Sequence, residues 1–291
     1  MGMIEPARII LGAASWGSDY GIKNSHEAGP EQVKRLILKS SRNSINSLDT
    51  ADGYGKSESL IGEFRTSETE LYTKISSSAL GDGLKGARES ISNSLMKLQS
   101  ESVEGLAFHD ATSVLHNPEV AYALSGELRE KQVAYKVGVS VYEVDEIYEI
   151  LDIFRPDYIQ APVSLVDRRF ISADITRLLQ SEGVELHARS VYLQGVLLQQ
   201  AEEIHPYFSR WKWLIDEYRR EASNLGMTLQ EFFLLPVLTH SSVAKVVVGV
   251  NEESHLDDLI NTLSWTCDMK DLSHFSFSNE LALLDPRRWR L

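Results

Sequence analysis

Residues 71–109 read LYTKISSSALGDGLKGARESISNSLMKLQSESVEGLAFH, and the fold prediction begins from this stretch. Its two short apolar runs, Leu71–Lys74 and Val103–His109, are predicted to be strands. Between them, apolar residues recur at the helical period on one face, formed by Ile91, Leu95 and Leu98. A strand, a helix and a second strand in this order favour parallel strands joined by a right-handed crossover.

The same alternation recurs along the chain and predicts eight strands. They are Arg8–Leu11, Ser47–Asp49, Leu71–Lys74, Val103–His109, Tyr135–Ser140, Tyr158–Ala161, Val184–Ser190 and Val246–Val250. Several are nearly continuous in apolar character, as is typical of strands covered on both faces. Eight strand-helix repeats close into a barrel more readily than they extend an open sheet. The sequence therefore predicts an α/β fold of the (β/α)8 TIM barrel class.

The regular spacing is interrupted after the seventh strand. The interval from Ser190 to Val246 has room for an extra helix over Tyr207–Asn224 besides a regular helix over Leu229–Leu238. Gly226 lies between them, where a glycine commonly ends a helix. The residues after Leu263 form a C-terminal extension. Because no Pro/Gly/Ser-rich linker divides the chain, we expect residues 1–291 to form a single barrel domain.

Composition excludes several classes of protein. The 291 residues carry a formal net charge of −13, which argues against a sequence-independent nucleic-acid surface. The single cysteine, Cys267, excludes an intramolecular disulfide and a multi-cysteine zinc site, and we interpret it as a small packed residue. The first residues lack the apolar run of a signal peptide, and no stretch approaches the ~20 apolar residues of a membrane span. We therefore expect a cytoplasmic protein without a membrane partner, and its oligomeric state is not predicted.

Four ionisable residues lie at or just after the ends of three successive predicted strands. Asp49 ends the second strand in LDTADGYG, and Tyr54 follows it in the loop. Lys74 ends the third strand, and His109 ends the fourth. Because the carboxyl ends of the strands of such a barrel share one face, we expect these four side chains to meet there. Each alone has an ordinary explanation, as a turn cap, a loop aromatic, a solvated lysine or a strand-end histidine.

DTADGYG, followed by a strand-end TK and a strand-end histidine, resembles the signature of the aldo-keto reductase family. The resemblance extends from LGAASWG near the start to VVGVNEESHLDDLI near the end. It implies a (β/α)8 barrel that binds NADPH, less often NADH, in an extended pose. It also implies reversible reduction of a small-molecule aldehyde or ketone without a metal, with Asp49, Tyr54, Lys74 and His109 as the catalytic tetrad.

The chemistry of the four residues agrees with that reaction. Reduction of a carbonyl builds an alkoxide that must be protonated, and Tyr54 is the predicted donor. An unperturbed tyrosine has a pKa of about 10, which we expect the nearby Lys74 ammonium to lower. Asp49 would balance the charge of Lys74, and His109 would hydrogen-bond the carbonyl oxygen. The other histidines singled out, His116, His187 and His274, match no motif and are interpreted as structural or surface residues.

The resemblance also implies which residues hold the cofactor. Ser140, followed here by Val141 where the family often has asparagine, and Gln160 would hydrogen-bond the nicotinamide carboxamide. Arg189 occupies the position of a tyrosine that stacks on nicotinamide in many members. A guanidinium can stack in the same way, and the alternative is an ion pair with a neighbouring acid. The segment after it, with Ser190, Leu193 and Gly195, would lie along the pyrophosphate.

The segment VVGVNEESHLDDLI would hold the adenosine half of the cofactor, through Gly249, Val250, Asn251 and His255. Asn251 stands where many NADPH-preferring members have an arginine or lysine, and Leu259 replaces an asparagine. Glu252 and Glu253 would repel a 2′-phosphate, and His255 is only partly cationic near neutral pH. NADPH is the family expectation, and these departures predict weak discrimination against NADH.

Substrate residues are the least constrained by the sequence. Trp16 and Tyr20 are predicted walls of the substrate pocket, while Trp211 and Trp213 are interpreted as packing residues of the inserted helix. A sugar or a phosphorylated carbonyl would suit Arg168 and Arg169, which are otherwise surface ion-pair partners. Some segments resemble a branch associated with sugar and polysaccharide modification. The predicted function is reduction of an aldehyde or ketone, including sugar-derived ones; the alternative is a catalytically weak, nicotinamide-binding regulatory subunit.

Overall fold

Eight parallel strands form a closed barrel in the computed structural model, which describes residues 4–17, 28–200, 203–265 and 272–291. Each strand pairs with the next along the chain, and the last pairs with the first. The strands are β1 Ile9–Gly12, β2 Ser47–Asp49, β3 Glu70–Ile75, β4 Val103–Phe108, β5 Ala134–Ser140, β6 Tyr158–Pro162, β7 Glu185–Arg189 and β8 Val243–Gly249. The (β/α)8 prediction is confirmed, and β8 begins at Val243 rather than at Val246.

Helices follow every strand on the outside of the barrel. Before β5 these are α1 Pro30–Arg42, α2 Ser57–Phe64, α3 Ser77–Gly81, α4 Gly83–Leu98, α5 Ala111–His116 and α6 Pro118–Glu130. After β5 they are α7 Asp145–Ile153, α8 Ala173–Glu182, α9 Lys212–Asn224, α10 Leu229–Leu238, α11 Glu253–Leu263 and α12 Leu281–Leu284. None of the described helices has the length and apolar character needed to cross a membrane.

The predicted extra helix lies between β7 and β8. It begins as a 3-10 turn over Pro206–Trp211 and continues as α9, which ends at Asn224 as predicted. Gly226 has a φ of +68° and separates it from α10, whose first turn is closed by a capping box of Thr228 and Glu231. Because Trp211 is buried against Phe208, its interpretation as a packing residue agrees with the structure, whereas Trp213 is exposed.

The interior of the barrel is filled rather than open. Tyr72 and Tyr158 meet edge to face inside it, with ring centroids 6.1 Å apart, beside Ile10 and Ala107. A Cβ atom at Gly105 would overlap the Tyr72 ring, and one at Gly138 would overlap Tyr158. The two glycines therefore provide the space that these aromatic rings occupy, beneath the end of the barrel that carries the site.

Charged residues close the opposite, amino-terminal end of the barrel. Glu185 pairs with Lys136 at 2.8 Å and with the buried ring of His187 at 3.0 Å, and Lys245 pairs with Glu70 at 3.1 Å. His187 also stacks on Tyr158, with ring centroids 4.4 Å apart. Ligands therefore have their route to the barrel at the carboxyl ends of the strands.

The C-terminal extension returns to the extra helix and to the loop after β5. The Tyr207 hydroxyl donates to the Ala282 carbonyl at 2.8 Å, and the Trp289 ring lies 5.0 Å from that of Phe208, centroid to centroid. Arg287 then reaches Glu143 at 3.4 Å. The extension thus fixes the position of the loop that follows β5.

Candidate active site

The carboxyl ends of β2, β3 and β4 bring the four predicted tetrad residues together. The Lys74 ammonium forms an ion pair with Asp49 Oδ2, and only 3% and 7% of the two side chains are exposed. Lys74 also donates to the Thr50 carbonyl at 3.0 Å. The centroid of the Tyr54 ring lies 5.3 Å from Lys74 Nζ and 5.5 Å from that of the His109 ring.

The loop that carries Tyr54 is held by backbone contacts. The Asp52 amide donates to the Lys74 carbonyl at 3.0 Å, and the Asp52 carboxylate accepts from the Ser76 amide at 3.0 Å. Gly55 has a φ of +55°, and a Cβ atom there would overlap the Gly17 carbonyl oxygen. A Cβ atom at Gly17 would in turn overlap the Tyr54 carbonyl oxygen. Gly17 and Gly55 therefore position Tyr54, although the sequence analysis did not single them out. Gly55 is the second glycine of DGYG, and a glycine at that place in the motif was the sequence signal for this turn.

The electrostatic environment of Tyr54 differs from the prediction. Burial raises the pKa of Tyr54 above its ordinary value, and the Asp49 carboxylate raises it further, whereas Arg189 lowers it. We predicted that Lys74 would lower this pKa, and that prediction is wrong for this structure. The physical reason is that Asp49 compensates the ammonium of Lys74 at contact distance. Tyr54 is therefore protonated at neutral pH and able to donate.

His109 is neutral at physiological pH. Burial, followed by the charge of Lys74, lowers the pKa of His109 to about 4. A neutral imidazole carries one N–H donor and one acceptor nitrogen. The site therefore combines two neutral hydrogen-bond donors, the Tyr54 hydroxyl and the His109 ring, with a charge-compensated ion pair beneath them.

Gln160 contacts the tetrad directly. Its amide nitrogen Nε2 donates to Asp49 Oδ1 at 3.0 Å, so each oxygen of the Asp49 carboxylate has a partner. Ser140 is its register neighbour across the β5–β6 pair and is buried. The roles of Ser140 and Gln160 toward a nicotinamide carboxamide remain predictions.

A groove runs from the tetrad to the start of α11. Its first part is lined by Gly12, Ala14, Ser15, Asp49, Tyr54, Gln160, Arg189, Ser190, Val191, Tyr192, Gln194, Gly195, Val247, Val248 and Gly249. Its second part is lined by Ser15, Tyr192, Gln194, Gly195, Leu198, Gln230, Val248, Gly249, Asn251, His255, Asp258 and Leu259. The two parts share residues and are therefore continuous.

Most of the predicted cofactor residues line this groove, but three do not. Leu193 and Val250 are buried, so their side chains are absent from the walls, and Ser140 is absent as well. Tyr192 and Gln194, which were not predicted, line both parts. The side chains of Tyr192 and Gln194 face the groove, whereas the side chain of Leu193 between them is buried. This alternation depends on the conformation of the loop and is not visible in the sequence.

The turn after β7 has an unusual backbone. Ser190, Leu193 and Gln194 have φ values of +60°, +46° and +52°, and Gly195 follows at +89°. Left-handed conformations of non-glycine residues are costly and cluster at functional sites. A Cβ atom at Gly195 or at Gly249 would meet no atom within 4 Å. Both glycines therefore leave space in the part of the groove that the two lining sets share.

Arg189 is held by contacts with neighbouring residues of the loop after β5 and of its own strand end. Its guanidinium carbon lies 4.1 Å from the centroid of the Tyr142 ring, and it donates to the Val141 carbonyl at 3.0 Å and to Ser190 Oγ at 3.2 Å. No carboxylate of the described residues forms an ion pair with it, which corrects the ion-pair alternative. Stacking of Arg189 on a nicotinamide ring remains a prediction.

The far end of the groove has no basic side chain other than a histidine among its described lining residues. The Asn251 side chain accepts from the Ser15 hydroxyl, and Glu253 pairs with Arg35 of α1 at 2.7 Å. His255 is exposed on the groove wall, and Asp258 lines the same end. This end is therefore weakly basic at most.

Of the two predicted substrate residues, Trp16 is described and does not line the groove. Trp16 is fully buried, and its indole N–H donates to the Val250 carbonyl at 2.7 Å, so the prediction that it forms a pocket wall is wrong for this structure. Tyr20 lies outside the described residues, as does Cys267. Arg169 pairs with Asp167 at 2.8 Å and with Glu143 at 3.0 Å, in agreement with the ion-pair interpretation.

Comparisons with known proteins agree with this geometry. The sequence model of the aldo/keto reductase family matches residues 8–276. No curated protein matches the chain significantly. The holo form of an aldo-keto reductase from Bacillus halodurans superimposes with a TM-score of 0.76 at 20% identity, over 97% of this chain and 95% of that one.

Two further solved structures are similar. A glycerol dehydrogenase from Gluconobacter oxydans has a TM-score of 0.72 at 18% identity, over 96% of this chain and 92% of that one. An aldo/keto reductase from Klebsiella pneumoniae, in complex with NADP and acetate, has a TM-score of 0.70 at 16% identity, over 98% and 94%. At these identities the structures establish the shared fold alone. The family model, in contrast, matches the sequence itself over residues 8–276.

Proposed function

The chain belongs to the aldo/keto reductase family, and from this premise we propose that it reduces an aldehyde or ketone to an alcohol with Tyr54 as proton donor. The observation that carries the proposal is the buried Lys74–Asp49 ion pair beside Tyr54 and His109 at one end of a continuous groove. A buried ion pair is an expensive feature to build for stability alone, which favours a role in the chemistry.

The groove suits a nicotinamide dinucleotide. One end lies at the tetrad, the other lies beside the start of α11, and Gly195 and Gly249 contribute no side chain to the walls between them. The amino end of a helix favours negatively charged groups. When bound, the cofactor would supply the hydride, and Gln160, Ser190, Tyr192 and Gly249 are the residues best placed to hold it.

The residues of the chain account for the fate of the proton. A carbonyl oxygen placed between Tyr54 and His109 would accept a hydrogen bond from each, because both groups are neutral donors at pH 7. As negative charge develops on that oxygen, these donors stabilise it. The resulting alkoxide is more basic than a phenolate and takes the proton of the Tyr54 hydroxyl. Arg189, whose charge lowers the pKa of Tyr54, is the nearby cation that stabilises the phenolate left behind, while the charge of Lys74 is compensated by Asp49.

We propose further that the enzyme discriminates weakly between NADPH and NADH. The adenosine end of the groove presents His255, Asn251 and Asp258, with no lysine or arginine among its described lining residues. Asp258 would oppose a 2′-phosphate, and a single histidine offers it a weaker contact than a lysine or arginine would. Dissociation constants for both reduced cofactors test this. An NADPH preference beyond about 100-fold, or roughly 2.7 kcal/mol, would contradict it.

A single-turnover assay tests the reductase function. Purified protein is loaded with NADPH and mixed with 4-nitrobenzaldehyde, and oxidation of the cofactor is followed by its absorbance. We expect about one equivalent to be oxidised by the wild-type protein and a rate about 100- to 10,000-fold lower for Tyr54→Phe, the range typical of a lost general acid. Tyr122→Phe is the matched control, since Tyr122 is exposed on α6. Binding without oxidation in the wild type would favour the nicotinamide-binding regulatory subunit instead.

A further inference from the structure

We propose that Arg189 forms a subsite for an anionic group of the substrate beside Tyr54, an inference that rests on the proposed reductase function. The substrate class is an aldehyde or ketone that carries a carboxylate or a phosphate close to its carbonyl group. Three features of Arg189 lead to it: an uncompensated charge, a position beside the reacting groups, and an orientation fixed by its neighbours.

The charge of Arg189 is uncompensated within the described protein. The arginines around it are paired: Arg169 with Asp167 at 2.8 Å, and Arg287 with Asp285 at 2.8 Å. Arg189 forms no such pair with a carboxylate of the described residues. A half-buried guanidinium that has no counter-ion among the described residues is costly, and an anionic ligand group would offset that cost.

Arg189 lies on the same wall as the reacting groups. It lines the first part of the groove together with Tyr54 and Gln160. Its positive charge acts on Tyr54, whose pKa it lowers. A guanidinium has five N–H donors, and the Val141 carbonyl and Ser190 hydroxyl each accept one hydrogen bond. The remaining donors suit the forked geometry of a carboxylate or a phosphate.

The guanidinium is held in place before a ligand arrives. It stacks on the Tyr142 ring at 4.1 Å, and the Arg287 guanidinium contacts the same ring at 4.0 Å. Arg287 is anchored by the buried carboxylate of Asp285, and the Tyr142 amide donates to Glu146 at 2.7 Å. Because the C-terminal extension fixes Tyr142 and Tyr142 fixes Arg189, binding an anion would order few additional side chains.

Matched pairs of substrates test the subsite. The charged and neutral members are 4-oxobutanoate with its methyl ester, and glyceraldehyde 3-phosphate with glyceraldehyde, which distinguish a carboxylate from a phosphate. The readout is the ratio of kcat/KM for the charged member to that for the neutral member, at saturating cofactor. Effects of a substitution that act on both members, including those through Tyr54, cancel in this ratio.

We expect the wild-type protein to favour the charged member of at least one pair by about 10-fold or more. Arg189→Gln should lower the ratio by about 10- to 100-fold, which is the range of one charge-assisted hydrogen-bonded pair. Arg189→Lys should restore part of it, since lysine keeps the charge but loses the fork. Arg177→Gln is the control, because Arg177 is an exposed arginine of α8 paired with Asp174.

Two outcomes would overturn the subsite: a wild-type ratio near or below one in both pairs, or an unchanged ratio in Arg189→Gln. A higher cofactor dissociation constant with equal losses for both members would assign Arg189 to the cofactor instead. If no carbonyl is reduced, the proposed function fails, and calorimetry still tests the subsite: the wild-type protein with NADP⁺ should bind succinate but not dimethyl succinate. Failure to bind succinate would reject the subsite. Because this measurement uses the wild-type protein, it applies even if Arg189→Gln does not fold.

Discussion

Replacing Lys74 by methionine probes the buried ion pair at the centre of the site. The substitution removes the ammonium but keeps a long apolar side chain, so it leaves Asp49 as a buried carboxylate with Gln160 as its remaining side-chain donor. Removal of one partner from a buried pair typically costs about 3–5 kcal/mol. With an unfolding entropy of about 2.1 cal/mol/K per residue, that loss corresponds to about 5–8 °C in Tm.

Differential scanning fluorimetry of three variants measures this effect. Lys74→Met should lower Tm by about 5–8 °C, while the double variant Lys74→Met/Asp49→Asn should recover at least half of the loss, because it also removes the uncompensated charge. Lys85→Met is the control: its side chain is 88% exposed, and we expect a change of less than about 1 °C. A decrease below about 2 °C for Lys74→Met, or a double variant no more stable than Lys74→Met, would refute the reasoning.

Three other results are expected. Gly55→Ala should lower the single-turnover rate at least tenfold, because its Cβ atom would displace the Tyr54 loop, while Gly53→Ala, which meets open space, should leave the rate unchanged. The native pKa of His109, about 4, lies below the unfolded value of about 6.5, so its contribution to stability should be complete above pH 6.5 and decline as the pH falls toward 4. Denaturation of His109→Gln across that range should show a weaker decline; an identical pH dependence would exclude the assignment. His255→Arg should tighten NADPH at least tenfold without changing the NADH dissociation constant, and equal changes for both cofactors would place His255 away from the 2′-phosphate.

The sequence predicted the barrel because its signals are local. Each strand is a short apolar run, and several helices have apolar residues at the helical period, so the face of Ile91, Leu95 and Leu98 was predicted without knowledge of the neighbouring elements. The tetrad was predictable for a related reason. Asp49, Lys74 and His109 lie at strand ends, and the closure of the barrel alone brings strand ends together.

Properties that depend on packing between distant segments were not predictable in this way. Trp16 is buried because its indole meets the Val250 carbonyl across the closure of β1 and β8. Arg189 stacks on Tyr142, and the C-terminal extension brings Arg287 to the same ring. The direction of the pKa shift of Tyr54 depends on its burial and on the charges of Asp49 and Arg189, which spacing along the chain does not reveal.

The central claim is tested most directly by the path of the hydrogen atoms in one turnover. The protein would be loaded with reduced cofactor deuterated at the transferring position and mixed with 4-nitrobenzaldehyde, and the alcohol analysed by mass spectrometry. We expect one deuterium on the carbinol carbon with the wild-type protein, and formation of the same product at least 100-fold more slowly with Tyr54→Phe. An alcohol without deuterium, no alcohol despite bound cofactor, or an unchanged rate in Tyr54→Phe would contradict the account.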